Sequence, residues 1–434
     1  MRLRTRALAA SGLAAMAMTA ATAAFADDQP ASAPAAAPAA GPAAAAPPAT
    51  WASTIKWGGH VEVGITGNPD GPKDGLNYGQ LFTDRANQVL VNSVALNVER
   101  DPDTNAKSLD VGFKVQAAYG SDSRYTQAIG EFNRSVDSRN TVDVVEAHVD
   151  AHAPWLTAGG MELHAGILPT LEGVEVMDPT GNFFYSKSYL FNFGIPLKYT
   201  GIMTETHVSP LLDVYLGIDS GVNTFLGHDG GANDNKLHFH GGFGLNFKNV
   251  TVLATTQIGP EDYAYDATGK VISTSKNRYL SDAVITWKVN DKLTSTTDVN
   301  YIYDELFKAS GGGVTEYVAY PVTPTVTVGA RAEVWRDDKN FYTAAFPGKY
   351  DFINFEGGYG PSSPVFLSAT NATFFEVTVG LNYKPAGLPK MIDGLTFRPE
   401  VRFDDLLTHG HAYDAGTKGY QTTIAFDIVA PFTL

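Results

Sequence analysis

The sequence contains no cysteine. Disulfides, thiolate nucleophiles and zinc–thiolate sites are therefore excluded, and the fold must be held by hydrogen bonds and packing. After residue 50 the sequence also lacks any apolar run near the ~20 residues that a transmembrane helix needs. Positive charge is scarce, with 31 Lys and Arg against 46 Asp and Glu and a net charge of -15. This balance argues against nucleic acid as a partner.

The N-terminal region predicts two segments outside the main domain. Arg2, Arg4 and Arg6 precede an apolar run, and Ala24 and Ala26 frame a cleavage site. This pattern predicts a secretory signal peptide over residues 1–26. Residues 27–50 are almost entirely Ala and Pro, which favours a disordered periplasmic segment. The main domain is then expected over residues 51–434.

The rest of the chain is dominated by a period of two. On one stretch Val111, Val115 and Tyr119 share one face, and Lys114 and Gln116 share the other. The same alternation recurs over residues 326–334, 375–383 and 395–404. Such strands have one apolar side and one polar side. Alternation alone does not separate a membrane barrel from a soluble secreted β-sandwich, which stays open as an alternative.

Connection lengths favour the barrel, because short turns alternate with long Gly- and Asp-rich loops. We therefore predict an all-β fold, a transmembrane antiparallel β-barrel of about 16 strands with short periplasmic turns and long extracellular loops. Its place would be the outer membrane of a Gram-negative bacterium. The predicted strands cover residues 54–66, 88–100, 108–120, 141–152, 161–168, 197–208, 211–222, 237–248, 250–258, 277–289, 293–304, 314–321, 325–337, 373–384, 395–404 and 419–430.

Aromatic residues near the strand ends predict two rings at the membrane interfaces. They are Trp57, Tyr119, Tyr199, Tyr279, Trp287, Tyr303, Trp335 and Tyr383. The final strand, residues 419–434, carries an apolar face that resembles the signal read by the barrel assembly machinery. That machinery is therefore an expected partner, although the chain ends in Leu434 where the signal usually ends in an aromatic residue.

Three sequence blocks carry a family resemblance. They are Gly-Ile-Leu-Pro-Thr-Leu-Glu-Gly-Val-Glu over residues 166–175, Asn-Phe-Phe-Tyr-Ser-Lys-Ser-Tyr-Leu-Phe over 182–191, and Ile-Pro followed by Tyr-Thr-Gly over 195–201. Together they resemble the β-barrel porin-2 (OmpL-like) family of Gram-negative outer-membrane porins, and Asn97-Val-Glu-Arg100 fits more weakly. The resemblance implies a single-chain porin and supplies no catalytic residues.

The segment from Pro169 to Pro196 is the third long loop. In general diffusion porins the third loop folds inward, and by this analogy the segment is a constriction loop. It carries Glu172, Glu175 and Asp178, which in a water-filled lumen create a negative potential at the narrowest point.

Four basic residues have the parity of the lumen face: Lys114, Arg331, Arg398 and Arg402. A charged side chain facing lipid near the bilayer midplane costs roughly 2–4 kcal/mol, so these residues are expected inside. Facing the loop carboxylates they would set up a transverse field that favours small dipolar solutes. Alternatively, they form salt bridges that fasten the loop to the wall, and the two roles can coexist.

These features favour a porin for passive diffusion of small polar solutes and ions. One alternative is a substrate-specific channel for a sugar or carboxylate, in which loop aromatics form a slide rather than packing against the wall: Phe183, Phe184, Tyr185, Tyr189 and Phe191. A barrel enzyme is less favoured because no catalytic motif is present, so no catalytic residue and no cofactor are expected. Two histidine groups stand out, His238 with His240, and His148 with His152 beside Glu146 and Asp150, but a full ligand set is not evident, so no metal is expected.

Further partners follow from surroundings and resemblance. Outer-membrane lipid and lipopolysaccharide are expected, the latter through cations shared with acids in or beside long loops: Asp229, Asp234, Glu261, Asp262, Asp337 and Asp338. A homotrimer is implied by resemblance alone. The ion preference stays open, because loop acids attract cations and wall arginines attract anions.

Overall fold

A computed structural model describes residues 50–128, 131, 139–225, 236–262, 276–343 and 371–434, without the side chains of residues 261 and 262. The predicted signal peptide and nearly all of the Ala- and Pro-rich segment lie outside these residues. The chain divides into two units, and the described part of the first, residues 50–55, includes a 3-10 helix, Trp51–Thr54, capped at its start by Thr50. The second unit covers residues 56–434.

The described residues of this second unit form sixteen strands that close into one antiparallel barrel, as predicted. Each strand pairs with its sequence neighbours, and the first strand pairs with the last from Gly58 opposite Thr433 to Gly67 opposite Ile424. The strands are β1 (Lys56–Gly67), β2 (Val89–Arg100), β3 (Asp110–Gly120), β4 (Thr141–Ala153), β5 (Met161–Pro169), β6 (Lys198–His207), β7 (Leu212–Asp219), β8 (His238–Asn246), β9 (Val250–Asp262), β10 (Lys276–Lys288), β11 (Thr294–Asp304), β12 (Ala309–Thr323), β13 (Val326–Asp337), β14 (Ala372–Tyr383), β15 (Thr396–Leu406) and β16 (Tyr420–Thr433).

Closure is what the chemistry of the membrane requires. In hydrocarbon every strand N–H and C=O needs an internal partner, and a closed sheet has no unpaired edge. Helices are few and short: the described ones include α1 (Ser123–Thr126) and α2 (Tyr189–Phe193), both in connections between strands. Among the described residues, no helix has the length and apolar character needed to cross a membrane.

The two ends of the barrel differ in the length of their connections. At the turn end the strands are joined by residues 101–109, 154–160, 208–211, 247–249, 289–293, 324–325 and 384–395. At the loop end they are joined by residues 68–88, 121–140, 170–197, 220–237, 263–275, 305–308, 338–371 and 407–419, hereafter loops 1 to 8 in this order. The predicted alternation holds except at loop 6, which is as short as a turn, and at the long 384–395 turn.

The clearest boundary error concerns β12, which begins five residues before the predicted start at residue 314. Gly311, Gly312 and Gly313 hide this part of the strand because glycine weakens strand propensity. The structure explains one of them. A Cβ on Gly311 would lie 3.0–3.2 Å from atoms of Tyr342, Ile302 and Trp335, so the missing side chain makes room for the Trp335 ring.

Side-chain parity follows the predicted alternation. Val111, Val115 and Tyr119 are exposed on the outside, whereas Gln116 is buried inside. The interface prediction is wrong for two aromatic residues, because Tyr199 and Trp335 are buried. The indole N–H of Trp335 donates to Thr343 Oγ1 at 3.1 Å.

The parity of β13 explains the error at Trp335. This residue stands an even number of positions from Arg331, so it points into the lumen and not toward lipid. Trp57, Trp287 and Tyr383, by contrast, are exposed as predicted.

Candidate functional site

Loop 3, residues 170–197 between β5 and β6, lies inside the barrel. A backbone buried in this way must find partners for its N–H and C=O groups. Carboxylates on the wall accept from the N–H groups: Asp282 from Gly173 at 3.0 Å, Asp298 from Val174 at 3.0 Å, Glu333 from Tyr189 and Leu190 at 2.6 and 2.7 Å, and Glu400 from Tyr185 and Ser186 at 2.8 and 3.0 Å. Wall acids on four strands thus replace the water that the loop backbone has lost.

Guanidinium groups on the wall donate hydrogen bonds to carbonyl groups of the loop 3 backbone. Arg331 donates to Ser186 O at 2.7 Å, Arg402 to Lys187 O at 2.5 Å, and Arg398 to the carbonyls of Pro179 and Asn182 at 2.9 and 2.8 Å. Together, the acids and arginines of the wall supply both kinds of partner to the buried backbone of loop 3.

All three arginines are buried and paired with carboxylates. Arg331 contacts Glu175 at 2.8 Å and Glu376 at 3.1 Å. Arg398 contacts Glu62 at 2.8 Å and forms a short contact with Asp427, and Arg402 contacts Asp404 at 2.7 Å. The structure therefore favours the fastening alternative for these three residues. Lys114 differs, since it is partly exposed and pairs with Glu146 at 2.9 Å.

The three loop carboxylates have different surroundings. Glu175 accepts from Ser188 N at 2.8 Å and pairs with Arg331, so its pKa is lowered although burial alone would raise it. Asp178 accepts from the Gln116 amide at 2.9 Å and lies 3.5 Å from His60 Nδ1. Burial opposes ionisation of Asp178 too, but His60, Thr180 and Gln116 lower its pKa. Both carboxylates are thus held in the ionised form by named partners.

Glu172 is the exception. Both of its carboxylate oxygens are buried without a hydrogen bond. The Nε2 atom of the His240 imidazole lies 3.9 Å from one of these oxygens. Burial raises the pKa of Glu172 well above its usual range, and the charges of Asp282 and Asp219 raise it further. This acidic neighbourhood on β7 and β10 is not evident from the sequence, because its members come from distant strands.

Residues at the loop end of the barrel form an apolar cluster, which we call the outer aromatic core. Its buried members come from loops 1, 2, 3, 4, 7 and 8 and from the adjoining strand ends: Leu81, Phe82, Tyr125, Tyr189, Leu190, Phe191, Phe193, Ile195, Leu197, Val222, Leu280, Ile302, Ala309, Trp335, Phe341, Tyr342, Ala372, Phe374 and Tyr413. Tyr189 stacks on Phe374 with ring centroids 5.0 Å apart. The loop aromatics Phe184, Tyr185, Tyr189 and Phe191 are all buried, which favours packing over an exposed slide.

Comparison with known proteins gives a family. The family model described as beta-barrel porin-2, OmpL-like, matches residues 54–432. The chain belongs to this family. No protein of curated function matches the sequence at a significant level.

Solved structures agree on the fold of this porin. The anion-selective porin of Comamonas acidovorans superposes with a TM-score of 0.55 at 10% identity, over 87% of this chain and 99% of that one. OmpT of Vibrio cholerae in its trimer form gives 0.52 at 14%, over 88% and 99%. The outer-membrane channel DcaP of Acinetobacter baumannii gives 0.51 at 10%, over 88% and 97%. These likenesses show the same barrel fold. Porins of this kind have short periplasmic turns and longer external loops, so the turn end is the periplasmic end and the loop end faces outward.

The porin also has a polar region at its periplasmic end, which we call the vestibule. It consists of lumen-facing carboxylates and histidines on β4 to β7: Glu146, His148, Asp150, His152, Glu162, His164, Glu205, His207 and Asp213. Several of these side chains are partly exposed, including His164 at 27% and His207 at 31%. Sequence analysis singled out the β4 members and missed those on β5, β6 and β7, which only the strand pairing brings alongside.

A small cavity lies between loop 3 and the wall of β11 and β12. Its volume is about 180 Å³ and its lining includes Glu175, Phe183, Phe184, Thr296 and Tyr317. A space of this size holds a few water molecules beside the Glu175 carboxylate. The porin family and fold indicate a channel rather than an enzyme.

Proposed function

We propose that this porin is a general diffusion channel in which loop 3 narrows the lumen, and that it favours cations over anions. The observation that carries the proposal is the position of loop 3, which is held inside the barrel by charged groups of the wall. In this account Asp178 and Lys114 contribute the charge of the constriction, whereas Glu175 is paired with Arg331 and the raised pKa of Glu172 reduces its charge. Arg331, Arg398 and Arg402 act by holding the loop in place.

The pairing of the arginines supports the cation preference. Each guanidinium is buried against one or more carboxylates, so little of its charge is available to a passing anion. The partly exposed charges of the vestibule are mostly acidic, with Glu162, Glu205 and Asp213 at its periplasmic rim. Because a lumen with low-dielectric walls concentrates the field of such groups, cations are enriched there.

Planar-bilayer recording of the purified protein tests the proposal. We expect stable open steps and, under a KCl gradient, a reversal potential on the side of the K⁺ equilibrium potential. Current that saturates or is blocked by one class of sugar or carboxylate would instead establish a substrate-specific channel. Absence of open steps from protein whose barrel is shown to be folded would contradict the porin proposal.

We also propose that the porin assembles as a homotrimer and reaches the membrane through the barrel assembly machinery. The trimer form of Vibrio cholerae OmpT supports the first proposal, and the apolar face of β16 supports the second. Light scattering of the detergent-solubilised protein measures the first. Replacement of Phe432 by Asp, followed by membrane fractionation, tests the second, since loss of the apolar face should leave the chain unassembled.

Contact with lipopolysaccharide is proposed for part of the acidic set only. Asp338 is about half exposed and pairs with Arg336, so it can face the surface. Asp337 is buried and accepts from the backbone N–H groups of Phe341 and Thr343, which removes it from the set. Asp229 and Asp234 lie outside the described residues. If cations bridge Asp338 to lipopolysaccharide, Asp338→Asn should lower the stability of the porin in lipopolysaccharide vesicles containing Mg²⁺.

A further inference from the structure

The vestibule contains two histidines in the arrangement that proteins use to bind a transition metal. Asp150 Oδ1 lies 2.6 Å from Nδ1 of His164, and Asp213 Oδ1 lies 2.7 Å from Nδ1 of His207. A carboxylate at Nδ1 keeps the proton on that nitrogen and leaves the lone pair on Nε2. Both imidazoles are therefore oriented, and each has a free coordinating nitrogen on the opposite side of the ring.

These two nitrogens converge on one carboxylate. Nε2 of His164 lies 3.9 Å from Glu162 Oε2, and Nε2 of His207 lies 3.9 Å from Glu162 Oε1. A distance of 3.9 Å is too long for a hydrogen bond. Two ligands of one tetrahedral zinc ion stand roughly 3.4 Å apart, given bonds of about 2.0–2.1 Å, so each imidazole nitrogen stands close to ligand spacing from the Glu162 carboxylate.

A fourth ligand is at hand. Glu205 offers an oxygen within 4.8 Å of ligand atoms of both Glu162 and His164. Glu205 is oriented by the Tyr215 hydroxyl, which donates to it at 2.9 Å, and Asp213 is held by the Asn246 amide at 2.6 Å. The supporting groups around the ligands are thus already hydrogen-bonded, as in established metal centres.

A separate observation points to the same place. His152 is buried, its Nδ1 has no hydrogen-bond partner, and this nitrogen lies 3.9 Å from Glu162 Oε1. A buried imidazole nitrogen without a partner costs free energy unless something binds it. Here it faces the same carboxylate on which the other two imidazoles converge.

We propose that His164, His207, Glu162 and Glu205 form a binding site for a divalent transition-metal cation of the zinc class at the periplasmic mouth of the lumen. His152 is an additional ligand candidate, and Asp150 and Asp213 are positioning residues. Imidazole nitrogen favours Zn²⁺, Ni²⁺ or Cu²⁺ over Mg²⁺ and Ca²⁺, which prefer oxygen ligands. The site replaces the expectation from the sequence that no metal is bound, because pairing of β5, β6 and β7 supplies ligands that a single strand could not.

The place of the site suggests its use. The ligands are partly exposed to the lumen, and the surrounding carboxylates attract cations toward them. A cation that has passed the constriction would meet this site last before the periplasm. The site would therefore retain scarce transition metals at the exit of a channel that otherwise does not distinguish one small cation from another.

Calorimetric titration of the chelator-stripped full chain in detergent with ZnCl₂ tests the proposal, with MgCl₂ as the comparison. We expect saturable binding of Zn²⁺ and none of Mg²⁺ in the same range. In His164→Gln/His207→Gln the Zn²⁺ affinity should fall by more than about tenfold, and in Asp213→Asn by about tenfold. The matched control is His409→Gln/His411→Gln, which removes two exposed histidines from loop 8 and should leave the affinity unchanged.

Heat-resistant gel mobility shows whether each variant has folded, and the mild Asp213→Asn change serves if the double variant does not fold. Visible absorption of bound Co²⁺ gives a second readout, because its bands report imidazole coordination. Unchanged Zn²⁺ affinity in the folded double variant, or equal binding of Mg²⁺ and Zn²⁺, would overturn the proposal. The titration needs no ion current, so a barrel that binds Zn²⁺ without conducting would contradict the porin proposal alone.

Discussion

The two ends of the lumen use charge in different ways. Toward the outside, charged side chains are buried, paired and bonded to the backbone of loop 3, which also contributes to the outer aromatic core. Toward the periplasm, several carboxylates and histidines of the vestibule are partly exposed, and several pairs stand 3.9 Å apart without a hydrogen bond. The comparison indicates that the same residue types fix structure where water is excluded and remain available to solutes where water enters.

The largest expected effect is on stability, at Arg331. Arg331→Ala leaves Glu175 and Glu376 buried without their cation, and loss of one partner of a buried pair costs about 3–5 kcal/mol. We expect this loss in the free energy of unfolding measured with urea, together with larger single-channel conductance as loop 3 loosens.

Arg336 on the same strand is the matched control for Arg331. It is about half exposed and pairs with Asp338, so Arg336→Ala should change the unfolding free energy by about 0–1 kcal/mol. Equal effects of the two substitutions would remove the distinction between the two kinds of charge.

A second substitution tests the outer aromatic core against the vestibule. Phe191→Ala removes a fully buried ring of α2 and should cost about 3 kcal/mol in the free energy of unfolding. Glu162→Gln in the vestibule keeps the size of a partly exposed side chain and should stay within about 0.5 kcal/mol. Urea denaturation followed by tryptophan fluorescence measures both, and a larger loss for Glu162→Gln would reverse the comparison.

The pH dependence of stability should differ in sign between two carboxylates of loop 3. Burial, followed by the charges of Asp282 and Asp219, raises the folded-state pKa of Glu172, so the folded state holds more protons than the unfolded state above about pH 4.3. Its contribution therefore falls as the pH rises, and Glu172→Gln should be more stable than the wild type at pH 7 but not at pH 4.

Glu175 gives the opposite sign. Arg331, Lys187 and Ser188 outweigh burial and lower its pKa, so its contribution is present above the unfolded pKa and is lost as the pH falls through the lowered folded value. Glu175→Gln should therefore be less stable than the wild type at pH 7. Urea midpoints at several pH values between 4 and 8 check both variants, and parallel profiles would contradict the assignment.

The smallest effect is expected on ion selectivity. Glu162→Gln/Glu205→Gln removes two partly exposed acids of the vestibule, so the reversal potential in a KCl gradient should move by a few millivolts toward the Cl⁻ equilibrium potential. Lys114→Gln should move it the other way, because it frees the charge of Glu146. No movement in either variant would mean that vestibule charge does not set the preference.

Much of the barrel could be predicted from the sequence, because each strand reports its own two faces through side-chain alternation. The strand from Val326 to Asp337 is within one residue of the prediction, and Arg331 has the predicted lumen parity. Connection lengths predict residues 169–196 as the third long loop, close to the observed loop 3. The interface prediction for Trp335 and Tyr199 is wrong because it used their position at strand ends and not the parity of the strand, which turns both side chains inward.

The chemistry of the site could be predicted only in part. The acids of loop 3 and the arginines of the wall were identified, but not their pairing, because Glu175 and Arg331 stand far apart in the sequence. The vestibule could not be predicted for a similar reason, since its residues are spread over four strands. Antiparallel pairing of neighbouring strands places His164 beside Asp150 and His207 beside Asp213. Nothing in the sequence indicates that wall carboxylates such as Glu333 and Glu400 accept hydrogen bonds from the backbone of loop 3.

The central claim is that loop 3 lies across the path of the solute, and thiol modification tests it directly because the chain has no native cysteine. Val176 is an exposed residue of loop 3, and Trp155 is exposed in the periplasmic turn 154–160. During single-channel recording of Val176→Cys, a bulky water-soluble thiol reagent should lower the conductance in one step, whereas labelling of Trp155→Cys should leave it unchanged. Val176→Cys protein that is fully labelled yet conducts as before would contradict the account.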